Sequence, residues 1–413
     1  MKSTLPGLAA VAVLAVALTG CSAGDDGGTT IEVQTNLGAT DPILEVLAEV
    51  TEAYTDDHPD IEIDLVPATD TYEADMKVRL ASGDVPDIWA THGWSLLRYS
   101  EFLEPLNDQP WAKNFNPALA PAMENAEGEF FALPLDTDVA GIVYNRAVLD
   151  AAGIDPASLT DWAKFDAALK TLADAGVTPI ASSGKDSWFA GNIPDFMGSG
   201  GFTDEEFQGF LDGEFQADGY ASLLDEVAKW QAAGYFNPDY SSATTDDLGR
   251  ALAEGKTGFI MVQNYIVGTA LGFDPDAELG YFPIPSDAGS PFLVGGEGRA
   301  YGVSRTSEHK QEALDYLAFL AEPENLSQLA SAIGGIPGLT DATSDLGVLQ
   351  ASYDEFVAPG DVPLLPYFDR VYLPNGIWDT MVSTTDSIIT GQADVPTAVD
   401  QMTTSFDSLH GQE

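Results

Sequence analysis

The hydrophobic periodicity constrains this chain more than any other feature, because near the start it switches between two repeats in strict order. Ile31-Glu32-Val33-Gln34-Thr35 alternates with the period of two of a half-buried strand, and the following stretch carries Ile43, Leu44, Leu47, Val50 and Tyr54 at helical spacing. His58-Pro59-Asp60 turns into a second alternating run, Ile61 to Val66. Tyr72 to Ser82 then reads as a helix stopped by Gly83, and Val85 to Ala90 as a short buried strand. Strand, helix, strand, helix, strand predicts an α/β architecture: an open parallel sheet with helices on both faces, in which ligands sit beyond the carboxyl ends of the strands.

Ahead of this pattern, Met1 to Gly20 carries one cation, Lys2, and an apolar run from Leu8 to Leu18. A membrane-spanning helix needs roughly 20 apolar residues, so the run reads as a signal peptide, 1–20. Leu18-Thr19-Gly20-Cys21, followed by the polar Gly-rich stretch from Ser22 to Gly28, resembles a bacterial lipobox. That resemblance implies lipidation of Cys21 and a flexible tether over 21–30. Cys21 is the only cysteine, which excludes an intramolecular disulfide, a multi-cysteine zinc site and an iron-sulfur cluster, so the fold must rest on its core. The chain has 413 residues; at roughly 100 to 200 residues per domain, what remains after the signal peptide predicts two or three globular units.

There are 66 acidic residues against 16 basic, a formal charge of -50. Phosphate backbones and anionic headgroups repel such a surface, which argues against a nucleic-acid partner and holds the body off the membrane. The acids are scattered along helix faces and loops, as on a dispersed, salt-adapted surface; affinity for a cationic ligand is the alternative.

A second unit opens at Phe130 to Pro134 and continues through the strand Gly141 to Tyr144 and a helix from Trp162 to Ala175, with Thr160 as its cap. Further strands are expected at Val177 to Ala181, Thr257 to Val262, Tyr281 to Ile284 and Ala300 to Ser304. Helices are expected at Glu205 to Gly213, Tyr220 to Gly234, Lys310 to Glu322, Ser327 to Ala332, Ile377 to Thr390 and Val395 to Leu409. There is no tandem repeat.

Several phrases, in order and at matching spacing from Ile31 nearly to the end, carry a family resemblance. They are His58-Pro59-Asp60-Ile61-Glu62-Ile63; Lys77 through Asp84-Val85-Pro86-Asp87-Ile88-Trp89; Leu133 to Leu149 around Tyr144-Asn145-Arg146; Ala251 to Met261 with Gly255-Lys256; and Tyr301-Gly302-Val303-Ser304 before the helix Ala313 to Phe319. Together they resemble the extracellular solute-binding proteins of family 1, sugar receptors of ABC importers related to maltose-binding protein. The resemblance implies a two-lobed periplasmic-binding-protein-like fold of type II, with discontinuous lobes joined by a three-crossing hinge. The lobes are expected over 31–136 plus about 293–320, and over 137–292 plus about 321–413. It also implies a monomer that closes on a carbohydrate and delivers it to the transmembrane subunits of a permease.

Sugars are held by aromatic faces against their C–H surfaces and by planar polar groups on their hydroxyls. By position in the family's pattern, Trp188, Tyr265 and Trp378 look like cleft aromatics, whereas Trp162 and Trp230 sit among apolar helix neighbours and read as core. Asn36 follows the first strand, and His92 and Trp94 follow the third; Asp136 and Asp138 lie at the first crossing and Glu297 at the second. Asp138 aligns with the family's acidic sugar ligand, Asp136 either does the same or bonds the hinge backbone, and His92 is either a ligand or a solvated histidine. Gln263-Asn264-Tyr265 departs from the Gly-x-Trp of the maltose binder, and the third-strand loop lacks its acidic pair, which leaves the sugar open.

An enzyme of the glycoside-cleaving class is the rival reading, with Asp136 and Asp138 as its acid and base. Hydrolysis requires two carboxylates roughly 5 to 9 Å apart across one bond, and this pair is expected to point apart along its extended stretch. No nucleophile elbow or phosphate-cradling loop is present, and the four histidines are dispersed without ligand spacing, so neither a cofactor nor a metal is expected. Within the binding class a polyamine is the runner-up ligand, and a surface adhesin of the same fold is a third possibility.

Overall fold

The computed structural model describes residues 28–39, 41–69, 72–91 and 96–411. The expected signal peptide, Cys21 and the loop carrying His92 and Trp94 lie outside the described residues.

Among the described residues twelve strands in chain order, β1 Thr29–Gly38, β2 Ile61–Ala68, β3 Ile88–Thr91, β4 Leu133–Pro134, β5 Asp136–Asn145, β6 Thr178–Ile180, β7 Thr257–Gln263, β8 Leu279–Phe282, β9 Leu293–Glu297, β10 Ala300–Val303, β11 Ile336–Pro337 and β12 Leu364–Pro366, form two sheets. The first sheet runs β2-β1-β3-β10-β4. The predicted parallel order holds for β1, β2 and β3, but β10 runs antiparallel between β3 and β4, so the sheet is mixed. The helix Pro42–Asp57 buries Leu47, Val50 and Tyr54, one helical stripe, against Ile31 and Val33. The Tyr54 ring meets Tyr316 edge-on at 5.1 Å, and Thr51 and Tyr316 share a hydroxyl hydrogen bond of 2.6 Å.

The second sheet runs β12-β9-β5-β7-β6, and β8 and β11 also pair with β5. β5 is its spine. Gly141 is required there because a Cβ at that position would lie 2.5 Å from the Phe282 carbonyl oxygen of β8. Trp230 is fully buried and donates its indole N–H to Asp166 at 2.9 Å, and Trp162 packs on it at 5.9 Å between ring centroids. The helix that begins at Trp162 is capped by Asp161, which accepts from the Lys164 N–H, and not by Thr160.

The chain changes sheet first at Leu135, between β4 and β5, and next at Gly298-Arg299, between β9 and β10. The expected break near 293 is displaced because β9 hydrogen-bonds to β5 in the second sheet. The helices Lys310–Leu320 and Pro323–Ile333 both belong to the first core, since Leu326 and Leu329 pack with Leu47 and Val50; the expected break at 321 therefore moves to the segment between Leu339 and Leu346, which belong to different cores. The three crossings touch. The Leu135 N–H donates to the Arg299 carbonyl at 2.8 Å, and β11 pairs Pro337 with Asp136.

Candidate functional site

A cavity of about 600 Å³ is walled mainly by the second lobe, with Lys77, on the first-lobe helix Tyr72–Ser82, completing it. One wall is the helix Trp188–Gly198. Ahead of it the Ser183 hydroxyl accepts from the Asp186 N–H, and Asp186 accepts from both the N–H and the hydroxyl of Thr245, so the turn out of β6 is pinned. Trp188 thus opens a helix. Asn192 and Asp195 follow at four and seven residues, on one helical face, and all three line the cavity.

Gly191 lies on the same face and makes a slot. A Cβ there would stand 2.6 Å from Val382 Cγ2 and 3.0 Å from the Trp378 indole, so the ring of Trp378 lies against the bare helix backbone. Trp378 begins the helix Trp378–Ile389 after the turn Pro374-Asn375-Gly376, whose Gly376 has φ 93°. The cavity thus has two indoles on its walls, both half-buried. Tyr265, 41% exposed at the head of the helix Tyr265–Phe273, places its ring 5.6 Å from that of Trp188.

The floor is polar. Tyr367 follows β12 and carries the Arg370 guanidinium over its ring at 3.9 Å; Arg370 also donates to the Glu297 carbonyl oxygen at 3.3 Å. Gly296 leaves the space for this, since a Cβ would be 2.9 Å from Arg370 Nη1. Asp195, 1% exposed, accepts the Asp369 backbone N–H at 2.8 Å. Burial raises Asp195 well above the usual carboxylate range, and the Asp369 charge adds to the effect. Asp369 is raised by burial and pulled back by Arg370. Asn192 donates to Gln263 at 3.2 Å across the same floor.

Of the residues singled out in the sequence, Trp188 and Trp378 meet in this cavity and Tyr265 stands at its rim. Asp138 is half-buried beside it; burial raises its pKa, and Arg370 and then Arg299 counter that. Asp136 and Glu297, 0% and 1% exposed, are shut beneath the surface at the hinge. Asn36, half-buried on β1, does not line the cavity. Asp136 and Asp138 do not point apart as expected, since positions two apart on a strand share a face, and the Asp138 charge helps to raise Asp136. What keeps them from acting as a pair across one bond is the complete burial of Asp136. The polar floor was missed. Asp195 left a signal, a lone acid seven residues from Trp188 in an apolar helix, whereas Asp369-Arg370 left none.

Residues 49–352 match the model of the bacterial extracellular solute-binding proteins. The chain is 30% identical, over 90% of its own length and 88% of the relative's, to the melibiose/raffinose/stachyose-binding protein MelE of Bacillus subtilis. A binding protein of Bacillus subtilis solved in an open conformation superposes with a TM-score of 0.85 at 28% identity, covering 94% of this chain and 99% of that one. A sugar transporter protein of Bacillus licheniformis solved with stachyose gives a TM-score of 0.78 at 27% identity, covering 92% and 100%. The two-lobed fold is thus shared with solved solute-binding proteins, and this chain belongs to the bacterial extracellular solute-binding protein family.

Proposed function

We propose that the protein is the capture subunit of an ABC importer for an oligosaccharide of the melibiose, raffinose and stachyose class, and that it binds without catalysis. The observation that carries this reading is one cavity, about 600 Å³, with the indoles of Trp188 and Trp378 on its walls and Arg370 among carboxyl groups on its floor. That volume falls within the roughly 300–1,000 Å³ of small-molecule sites. The indoles suit the C–H faces of pyranose rings, and the bidentate floor groups suit vicinal hydroxyls. The three sugars share a terminal α-linked galactose, and a relative covering nine-tenths of this chain is named for all three.

A polyamine is disfavoured because Arg370 and Lys77 set two cations against the acids of the same cavity. Hydrolysis is disfavoured because the cavity's Asp195 and Asp369 are tied together on one side through the Asp369 backbone N–H, where cleavage requires carboxyls standing apart on two sides of one bond. In this reading Cys21 carries the lipid that holds the receptor on the outer face of the cell membrane beside its permease. Among the described residues no helix is long and apolar enough to cross a membrane.

The test is tryptophan fluorescence of the signal-free protein titrated with melibiose, raffinose, stachyose and spermidine, with chromatography of the recovered sugar. Saturable binding of at least one of the three sugars, its recovery intact, and a loss of about 2 kcal/mol, near thirtyfold, in Trp188→Ala and in Trp378→Ala are expected. Binding of spermidine alone, or cleavage of the sugar, would refute the proposal.

A further inference from the structure

The helix Tyr72–Ser82 turns an uncovered face toward the cleft. Met76 and Leu80, one turn apart, are buried with Trp89 and Tyr99 in the first lobe, and Arg79 ties the helix to β1 through hydrogen bonds to both Glu32 carboxyl oxygens, at 2.6 and 3.1 Å. With that side fixed, helical spacing sends Ala74, Lys77, Val78 and Ala81 outward together. All four are exposed, Val78 to 68%. The face carries no acid, in a chain that has 66 of them. Its one charge, Lys77, lines the cavity together with Asn375, Gly376 and Asp379 of the second lobe.

Lys77 has no ion-pair or hydrogen-bond partner among the described residues, and one acid of the cavity stands equally alone. Asp195 is buried and accepts the Asp369 N–H, while Asp369 lies beside the Arg370 charge. Asp379 is exposed in the first turn of the helix Trp378–Ile389, which packs in the second core through Met381 and Ile388, and it has no partner among the described residues. A cation fixed to the first lobe and an anion fixed to the second thus line one cavity without meeting. The turn between them offers a landing place, because Gly376, exposed with φ 93°, puts bare backbone at the surface.

We propose that the outward face of the helix Tyr72–Ser82 docks on the second-lobe segment 374–379 when the lobes close, Lys77 pairing with Asp379 over the captured sugar and Val78 becoming covered, so that Lys77 is a positioning residue of the closed form. This rests on the oligosaccharide reading above. A contact made only after closure stabilises that state alone, so it lengthens the stay of a ligand that bridges both lobes. The pair lies at the solvent edge, where such pairs shift an equilibrium by up to about fivefold and are weakened by salt.

The experiment times raffinose release by stopped-flow fluorescence at low and high salt, from the signal-free protein and its Lys77→Gln, Asp379→Asn and doubly substituted variants. Each single substitution is expected to speed release by up to about fivefold, and the double to be no faster than either one, because both remove the same contact. High salt should speed release from the unmodified protein and leave the double variant unmoved. Single effects that multiply in the double, or no effect of either, overturn the proposal. A second measurement reads the docking directly. In signal-free protein that begins at Ser22 and so lacks Cys21, Lys77→Cys combined with Asp379→Cys should be bridged by a short bifunctional thiol reagent, faster with raffinose, and neither substitution alone should be. No bridge at saturating raffinose overturns the proposal. If the bridge forms but raffinose neither binds nor speeds it, the docking face stands and the choice of sugar falls.

Discussion

Replacing Asp136 with Asn should shift relative stability toward the variant by an amount that grows with pH, and the structure sets its size. The Asp136 carboxyl is fully buried at the meeting of the three crossings, and neither oxygen has a hydrogen-bond partner among the described residues. Its nearest cation is Arg299 at 3.9 Å, while Gly298 and Gly335 press so closely that a Cβ on either would meet the side chain at 2.2 and 3.0 Å. Burial, with help from Asp138 and Glu297 and against Arg299, pushes its pKa up from 3.8 to about 7. The folded protein thus holds a proton that the unfolded chain gives up near 3.8. The associated stability is complete below that value, falls as pH rises toward 7 and is gone above it. A rise of this size corresponds to about 4 kcal/mol. The Asp136→Asn side chain cannot ionise, so the variant escapes the loss. Its amide stays unpaired, which costs about 1–3 kcal/mol at every pH and does not alter the slope. Urea denaturation of both proteins in matched buffers from pH 4 to 8 measures the difference. The variant is expected to be equal or weaker at pH 4 and to gain on the unmodified protein by up to about 4 kcal/mol by pH 8, near 5 °C in melting temperature for a chain of this length. A difference independent of pH, or one growing in the opposite direction, would refute the assignment of a hinge carboxyl kept protonated by burial.

Two further substitutions test the cleft. Arg370→Leu removes the cation beside Asp138, Glu297 and Asp369, and leaving those acids uncompensated should cost about 3 kcal/mol at pH 7 with loss of sugar binding; the cost should shrink as the pH falls and they take up protons, and a denaturation midpoint unchanged at pH 7 would contradict the electrostatic role. Gly191→Ala should push Trp378 out of its slot, weakening sugar affinity at least tenfold while overpacking costs about 1–3 kcal/mol; unaltered affinity in calorimetry would mean that the slot does not set the ring.

Local patterning carried most of the elements because their stripes are long. The run Leu47, Val50, Tyr54 needs no partner to be read as a helical face, and Ile31 to Thr35 needs none to be read as a strand. β4 and β11, two residues each, exist only because β10 and β5 pair with them, so nothing in Leu133-Pro134 or Ile336-Pro337 announces them. The lobe boundaries failed for a related reason: Leu293 to Glu297 reads as a strand of either sheet, and only its pairing with Thr137 and Asp138 assigns it. In the site, Trp188 and Trp378 were legible from their positions in the family's pattern, outside any periodic apolar stripe. The polar floor was not, because Asp195 becomes meaningful only when residue 369, far along the chain, folds back to hydrogen-bond with it.

The position of β10 governs how the molecule can be built. A strand from residues 300–303 stands between β3 and β4, whose residues precede it by more than a hundred positions, and the second sheet in turn awaits β12 near residue 364. Neither lobe can complete its sheet while the chain is still emerging, so long loops must close before their contacts repay the entropy. Such a chain gains its two halves nearly together. Unfolding should follow the same interdependence, as one broad cooperative event in place of two separable melts.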